Sequence, residues 1–133
     1  MAWRYKYKIS KGGKDLPAFF AVIYVLLPKE YVIPVMMEGK LPSKSESILE
    51  KNFPSLSLGK LAKKLPGFSK PMLRKWLPLW GSSGFIKCPY FDYSPTLREW
   101  KIQVTKRGIE KFLEGGRGPD IVRGLKAMDW IRD

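Results

Sequence analysis

The sequence predicts a single α+β domain, and three observations predict it. The chain has 133 residues, 44% hydrophobic and 14% aromatic, enough for one packed core but too short for two comfortable ones. Between Ser57 and Leu113 two short amphipathic helical patterns, a β-hairpin pattern and a further helix start follow one another. The hydrophobic period changes from about 3.6 to 2 and back within that stretch, which places helices and strands in one unit.

The net charge of +13 favours polyanionic partners, nucleic acid first and an anionic membrane surface second. It is unevenly spread: residues 1–56 carry +4, residues 57–107 carry +9 from 11 Lys/Arg against 2 Asp/Glu, and residues 108–133 carry zero. The single cysteine, Cys88, excludes an internal disulfide and a cysteine-built metal site. The absence of histidine removes the commonest general base and zinc ligand. With no carboxylate pair or partnered nucleophile legible, no enzyme activity, catalytic residue, metal or cofactor is expected. Asn52 and Gln103 are the only side-chain amides, a scarcity that suits a hot environment. The start MAWRYKYK lacks the apolar run of a signal peptide, so a cytoplasmic location is expected.

In chain order, Trp3, Tyr5, Tyr7 and Ile9 alternate with basic residues, predicting a strand or basic aromatic arm over residues 1–15. Lys11-Gly12-Gly13-Lys14 is a turn; Asp15 follows the lysine, which rules out a phosphate-binding loop. Leu16–Leu27 is apolar on every side and predicts a central helix or a buried strand, with Pro17 suited to a first helical turn. Pro28-Lys29-Glu30 stops it, and Tyr31–Met37 is a second apolar run interrupted by Pro34. These breaks argue against a membrane span. Residues 38–56 predict a connector with one short helix, starting at Ser43 or Ser45 and ending near Lys51.

Ser57 is placed to cap a helix in which Leu58, Leu61, Ala62 and Leu65 share a face, with Lys60, Lys63 and Lys64 outside it. Pro66-Gly67 ends that helix, Gly67 being free to take a positive φ. Ser69 caps the next, Pro71 sits in its first turn, and Leu73, Trp76 and Leu77 point inward, leaving Lys70, Arg74 and Lys75 outside. Pro78 is expected to end or kink this helix. Phe85–Tyr93 and Arg98–Val104 are candidate strands joined by a Ser94–Leu97 turn, with Trp100, Ile102 and Val104 alternating with Lys101 and Gln103. Tyr90, Phe91 and Tyr93 cluster near its tip, suited either to stacking on bases or to core packing. Thr105 is placed to cap a helix carrying Ile109, Phe112 and Leu113. After the Gly115–Pro119 break, Asp120 is expected to cap a last helix in which Ile121, Leu125, Met128 and Ile131 share a face.

Gly81-Ser82-Ser83-Gly84-Phe85-Ile86-Lys87 resembles the "Gly-Leu-Ile-basic" passage of winged helix-turn-helix regulators, and Thr105-Lys106-Arg107-Gly108 resembles their "Thr-x-x-Gly" helix start. Over residues 57–113 the chain is therefore similar to the winged-helix DNA-binding superfamily. The resemblance implies a single winged-helix domain, with a helix-turn-helix at 57–80, a wing at 85–104 and an added C-terminal helix at 120–132. It implies sequence-specific or general duplex-DNA binding and transcription regulation: Lys60, Lys63 and Lys64 on phosphates, Ser69, Lys70, Arg74 and Lys75 at the major groove, and Arg98, Lys101, Lys106 and Arg107 along the wing. Arg74 has the chemistry for a bidentate pair with guanine. RNA is the alternative partner, motivated by the aromatic residues at the N-terminus and wing. A structural or membrane-surface role through residues 16–37 is the second alternative. Residues 120–132 offer either a helix packed on its own domain or a homodimer seam.

Overall fold

The computed structural model describes residues 15–88 and 100–131. The expected N-terminal strand, the turn at 11–14, the wing tip with Tyr90, Phe91 and Tyr93, and Arg98 lie outside the described residues.

The apolar run Leu16–Leu27 resolves into helix, α1 (Asp15–Leu26). Its lack of a polar face is explained by its neighbours. Ala18, Phe19, Ala21, Val22, Ile23 and Leu26 are all buried, and the helix lies against four later elements described below. A helix enclosed by partners has no solvent stripe to keep polar. Phe19 meets Trp80 and Phe85 edge-on at centroid distances of 5.5 and 5.3 Å.

After Pro28 the chain makes a single turn, α2 (Lys29–Val32), that widens into a π-helical turn over Ile33–Met37 with Pro34 at its start. Proline removes an N–H from the helical ladder, and a widened turn is a common way to absorb the loss. No helix among the described residues is long and apolar enough to cross a membrane.

The connector departs from expectation. No helix starts at Ser43 or Ser45. Their hydroxyls hydrogen-bond each other at 3.1 Å and Ser47 Oγ donates to the Lys44 carbonyl at 3.3 Å, local bonds that compete with a helical backbone. A 3-10 turn over Glu50–Asn52 follows, and then a strand the sequence reading lacked, β1 (Ser55–Ser57).

Helix α3 (Leu58–Lys64) and helix α4 (Lys70–Ser82) form the predicted pair. Leu65 caps α3 before Pro66. Gly67, however, has no positive φ. Its role is space: a Cβ there would lie 2.3 Å from Trp130 Cδ1. Nor does Pro78 end α4, which continues to Ser82. A proline inside a helix costs roughly 3 kcal/mol. Here the turn beyond it carries Trp80, fully buried and stacked on Trp76 at 6.1 Å, whose burial offsets that cost. Gly81 and Ser82 thus belong to the helix rather than to the passage after it. Gly84 follows with φ 82°, Gly84 N–H donates to the Gly81 carbonyl at 3.0 Å, and Phe85 N–H donates to the Trp80 carbonyl at 3.0 Å. These are the two bonds of a Schellman closure, which needs a left-handed residue at Gly84.

Two strands follow, β2 (Ile86–Lys87) and β3 (Lys101–Val104). The sheet is antiparallel in the order β1-β3-β2, with Leu56 opposite Ile102 and Ile86 opposite Val104. Ile102 and Val104 are buried while Lys101 is exposed, as the alternation predicts. Helix α5 (Lys106–Glu114) packs beside α1. The final helix, α6 (Gly118–Ala127), begins before the expected cap: Arg117 occupies the cap position, and Asp120 lies in the first turn, accepting from Arg123 at 3.4 Å. Pro119, favoured in a first helical turn, moves the start forward. The helix also stops at Ala127 rather than at residue 132, with Asp129 at φ 58°, so Met128 and Ile131 lie beyond it: Leu125 and Ile131 are buried against the same domain, whereas Met128 is 58% exposed.

Candidate nucleic-acid interface

Three hydroxyl caps fix the elements that carry the basic residues. Ser57 Oγ accepts from Lys60 N–H at 3.3 Å, Ser69 Oγ from Met72 N–H at 3.4 Å, and Thr105 Oγ1 from Gly108 N–H at 3.0 Å. Each satisfies a backbone donor that the start of a helix leaves without a partner. Leu58 N–H also donates to the Trp100 carbonyl at 3.1 Å, fastening the start of α3 to the start of β3.

With Leu58 and Leu61 of α3 and Leu73, Leu77 and Trp80 of α4 in the core, the outward faces are left to Lys60, Lys63, Lys64, Lys70, Arg74 and Lys75, all exposed. Neither helix contains an acidic residue. The ion pairs among the described residues lie elsewhere: Lys87–Glu50, Lys111–Glu114 and Arg123–Asp120. The α3–α4 face is therefore a positive surface whose lysines have no carboxylate neutralising them among the described residues.

Comparison with family models, curated proteins and solved structures finds no match.

The predicted site residues divide into two groups. Lys60, Lys63, Lys64, Lys70 and Lys75 face solvent on the helices, and Lys101 does so at the start of β3. Others are committed to the fold. Ser69 caps α4. Arg107 Nε donates to the Ser83 carbonyl at 2.8 Å, and its guanidinium lies 5.5 Å from the Phe85 ring centre. That arginine fastens α5 to the end of α4. The Lys106 backbone N–H donates to Glu50 Oε2 at 2.8 Å, and its side chain is half-buried. Arg74, although exposed, holds its guanidinium 5.4 Å from the centre of the Trp100 ring, a cation–π contact that joins the middle of α4 to β3.

Sequence reasoning missed Glu50 and Lys87. Glu50 Oε1 lies 3.0 Å from Lys87 Nζ, so one carboxylate bridges the connector, β2 and the start of α5. Burial pushes the Glu50 carboxyl up, but the Lys106 N–H, the Lys87 ammonium and the charge of Lys106 outweigh it and hold the group below its ordinary value. No signal local to Glu50 in sequence could have shown this, because Lys106 is 56 residues away.

Proposed function

We propose that this chain is a winged-helix protein that binds duplex DNA, the activity of a small transcriptional regulator. The observation that carries the reading is the order of elements. A first helix, a turn of helix with its π-helical extension, a short strand, a helix pair and two further strands, joined as β1-β3-β2, follow the order that a winged helix-turn-helix would have, with the extra turns inserted before β1. In that arrangement α4 is the helix presented to the major groove, α3 braces the backbone, and residues between β2 and β3 form the wing. The basic, acid-free outer faces of α3 and α4 supply the charge such docking needs.

Fluorescence anisotropy with labelled duplex DNA and with folded RNA, across a salt series, tests the reading. Tight duplex binding is expected, with log affinity falling by about 0.9 per phosphate contact for each tenfold rise in salt. Replacing Lys63, Lys64, Lys70 and Lys75 together by Ala should weaken binding to all duplexes and lower that slope by about 3 to 4. Preference for folded RNA at matched salt would transfer the reading to RNA. Binding to neither would withdraw it.

A further inference from the structure

Resting on the duplex-DNA reading, we infer that the α3–α4 face grips the phosphate backbone with little regard to base sequence, so that the protein acts on DNA broadly rather than at one operator. What α4 can offer to base edges is limited. Adenine is read by Asn or Gln, cytosine by Asp or Glu, and guanine by Arg or Lys, Arg through a fixed fork. The chain has one asparagine and one glutamine. Asn52 lies in the 3-10 turn, and Gln103 in β3 donates its amide to the Phe53 carbonyl. No acidic residue lies on α4. The hydroxyls at its two ends are partly used by the fold: Ser69 Oγ accepts from Met72 N–H, and Ser82 Oγ donates to the Leu79 carbonyl at 2.9 Å.

One guanidinium remains, that of Arg74, which lies 5.4 Å from the centre of the Trp100 ring. Moving it to a base edge would cost that cation–π contact, about 0.5 to 1 kcal/mol at an exposed site. The other exposed cations of α4, Lys70 and Lys75, are compact point charges without a rigid fork; they suit phosphates as well as guanine and read no other base. Lys60, Lys63 and Lys64 of α3 and Lys101 of β3 are exposed lysines of the same chemistry. The face is rich in contacts that position a duplex and poor in contacts that specify its sequence.

The test is selection from a duplex library with a randomised centre, together with anisotropy titrations of the parent and Arg74→Lys on guanine-rich, adenine-rich and mixed duplexes of equal length. The expected result is no enriched motif and affinities within about threefold of one another, where a specific reader loses roughly fivefold or more per mismatched position. Arg74→Lys, which keeps the charge, should change affinity by the same factor on every duplex, guanine-containing or not, while its thermal melt reports the loss of the Trp100 contact. An enriched motif, or a loss in Arg74→Lys confined to guanine-containing duplexes, would overturn the inference while leaving duplex binding standing. Absence of salt-dependent duplex binding would remove both.

Discussion

Gly108 tests the packing at the base of the hairpin, because two opposing effects of known sign meet there. In an ordinary helix, replacing Gly by Ala gains about 1 kcal/mol from backbone propensity. At Gly108, a Cβ would lie 2.1 Å from the Phe85 carbonyl oxygen and 3.3 Å from Ile23 Cδ1. The Phe85 peptide cannot retreat cheaply. Its N–H donates to the Trp80 carbonyl at 3.0 Å and its carbonyl accepts from Thr105 N–H at 3.2 Å, so moving it loosens both the closure of α4 and the start of α5. Overpacking of this kind costs about 1 to 3 kcal/mol, and each loosened hydrogen bond adds about 1 kcal/mol. Net of the propensity gain, Gly108→Ala should destabilise by about 2 to 4 kcal/mol, lowering the melting temperature by roughly 10 °C. Gly124 in α6 is the matched control: no atom lies within 4 Å of a Cβ built there. Gly124→Ala should stabilise by about 0.5 to 1 kcal/mol. Urea denaturation followed by tryptophan fluorescence measures both. A Gly108→Ala variant as stable as the parent would refute the close approach of α5 to Phe85.

Two further predictions follow from contacts between distant parts of the chain. Because the Glu50 carboxyl is held below its ordinary value in the folded state, its contribution is complete above the unfolded value and is lost as pH falls through the lowered one. Glu50→Gln should therefore cost about 1 kcal/mol near neutral pH, discounted for the partial exposure of the pair, and the two melting curves should converge in acid, below the ordinary carboxylate range; a gap independent of pH would contradict the bridge. Gly67→Ala should destabilise by about 1 to 3 kcal/mol by striking Trp130, and Trp130→Leu should remove most of that penalty. Additive effects in the double variant would mean that the two residues are not in contact.

What could be seen in the sequence was what acts over a few residues. Ser57, Ser69 and Thr105 each accept the N–H three positions on, as their spacing before an apolar pattern predicts. Leu73 and Leu77 are in the core and Lys70, Arg74 and Lys75 outside it, because a helical period fixes both at once. What could not be seen depends on distant partners. The strand β1 has three residues, too few for an alternation to register, and exists through pairing with residues 101–103. Pro78 broke a local rule that the burial of Trp80 overrode. Arg74 was legible as an outward cation, but its placement on Trp100 joins residues 26 apart across the helix-strand junction.

The described basic residues sort by chemistry, and the sorting makes a last prediction. Between residues 57 and 107 both described arginines are turned to the protein itself, Arg74 on Trp100 and Arg107 on Ser83 and Phe85. The lysines of α3 and α4 are left to solvent. A planar guanidinium suits ring faces and carbonyls, whereas a strongly hydrated ammonium is cheaper to leave in water. Base specificity would then be missing for want of a fork in the right place, and adding one should create it. Lys70 is the first residue of α4, exposed and near the end from which recognition helices commonly reach base edges. Lys70→Arg keeps the charge, so affinity for random duplexes should change by less than about twofold. The new guanidinium is free to pair with guanine O6 and N7, and library selection should now enrich a guanine, by roughly fivefold or more at one position. If Lys70→Arg binds as tightly as the parent yet enriches nothing, the start of α4 does not approach base edges, and the duplex lies on this face without the helix entering its groove.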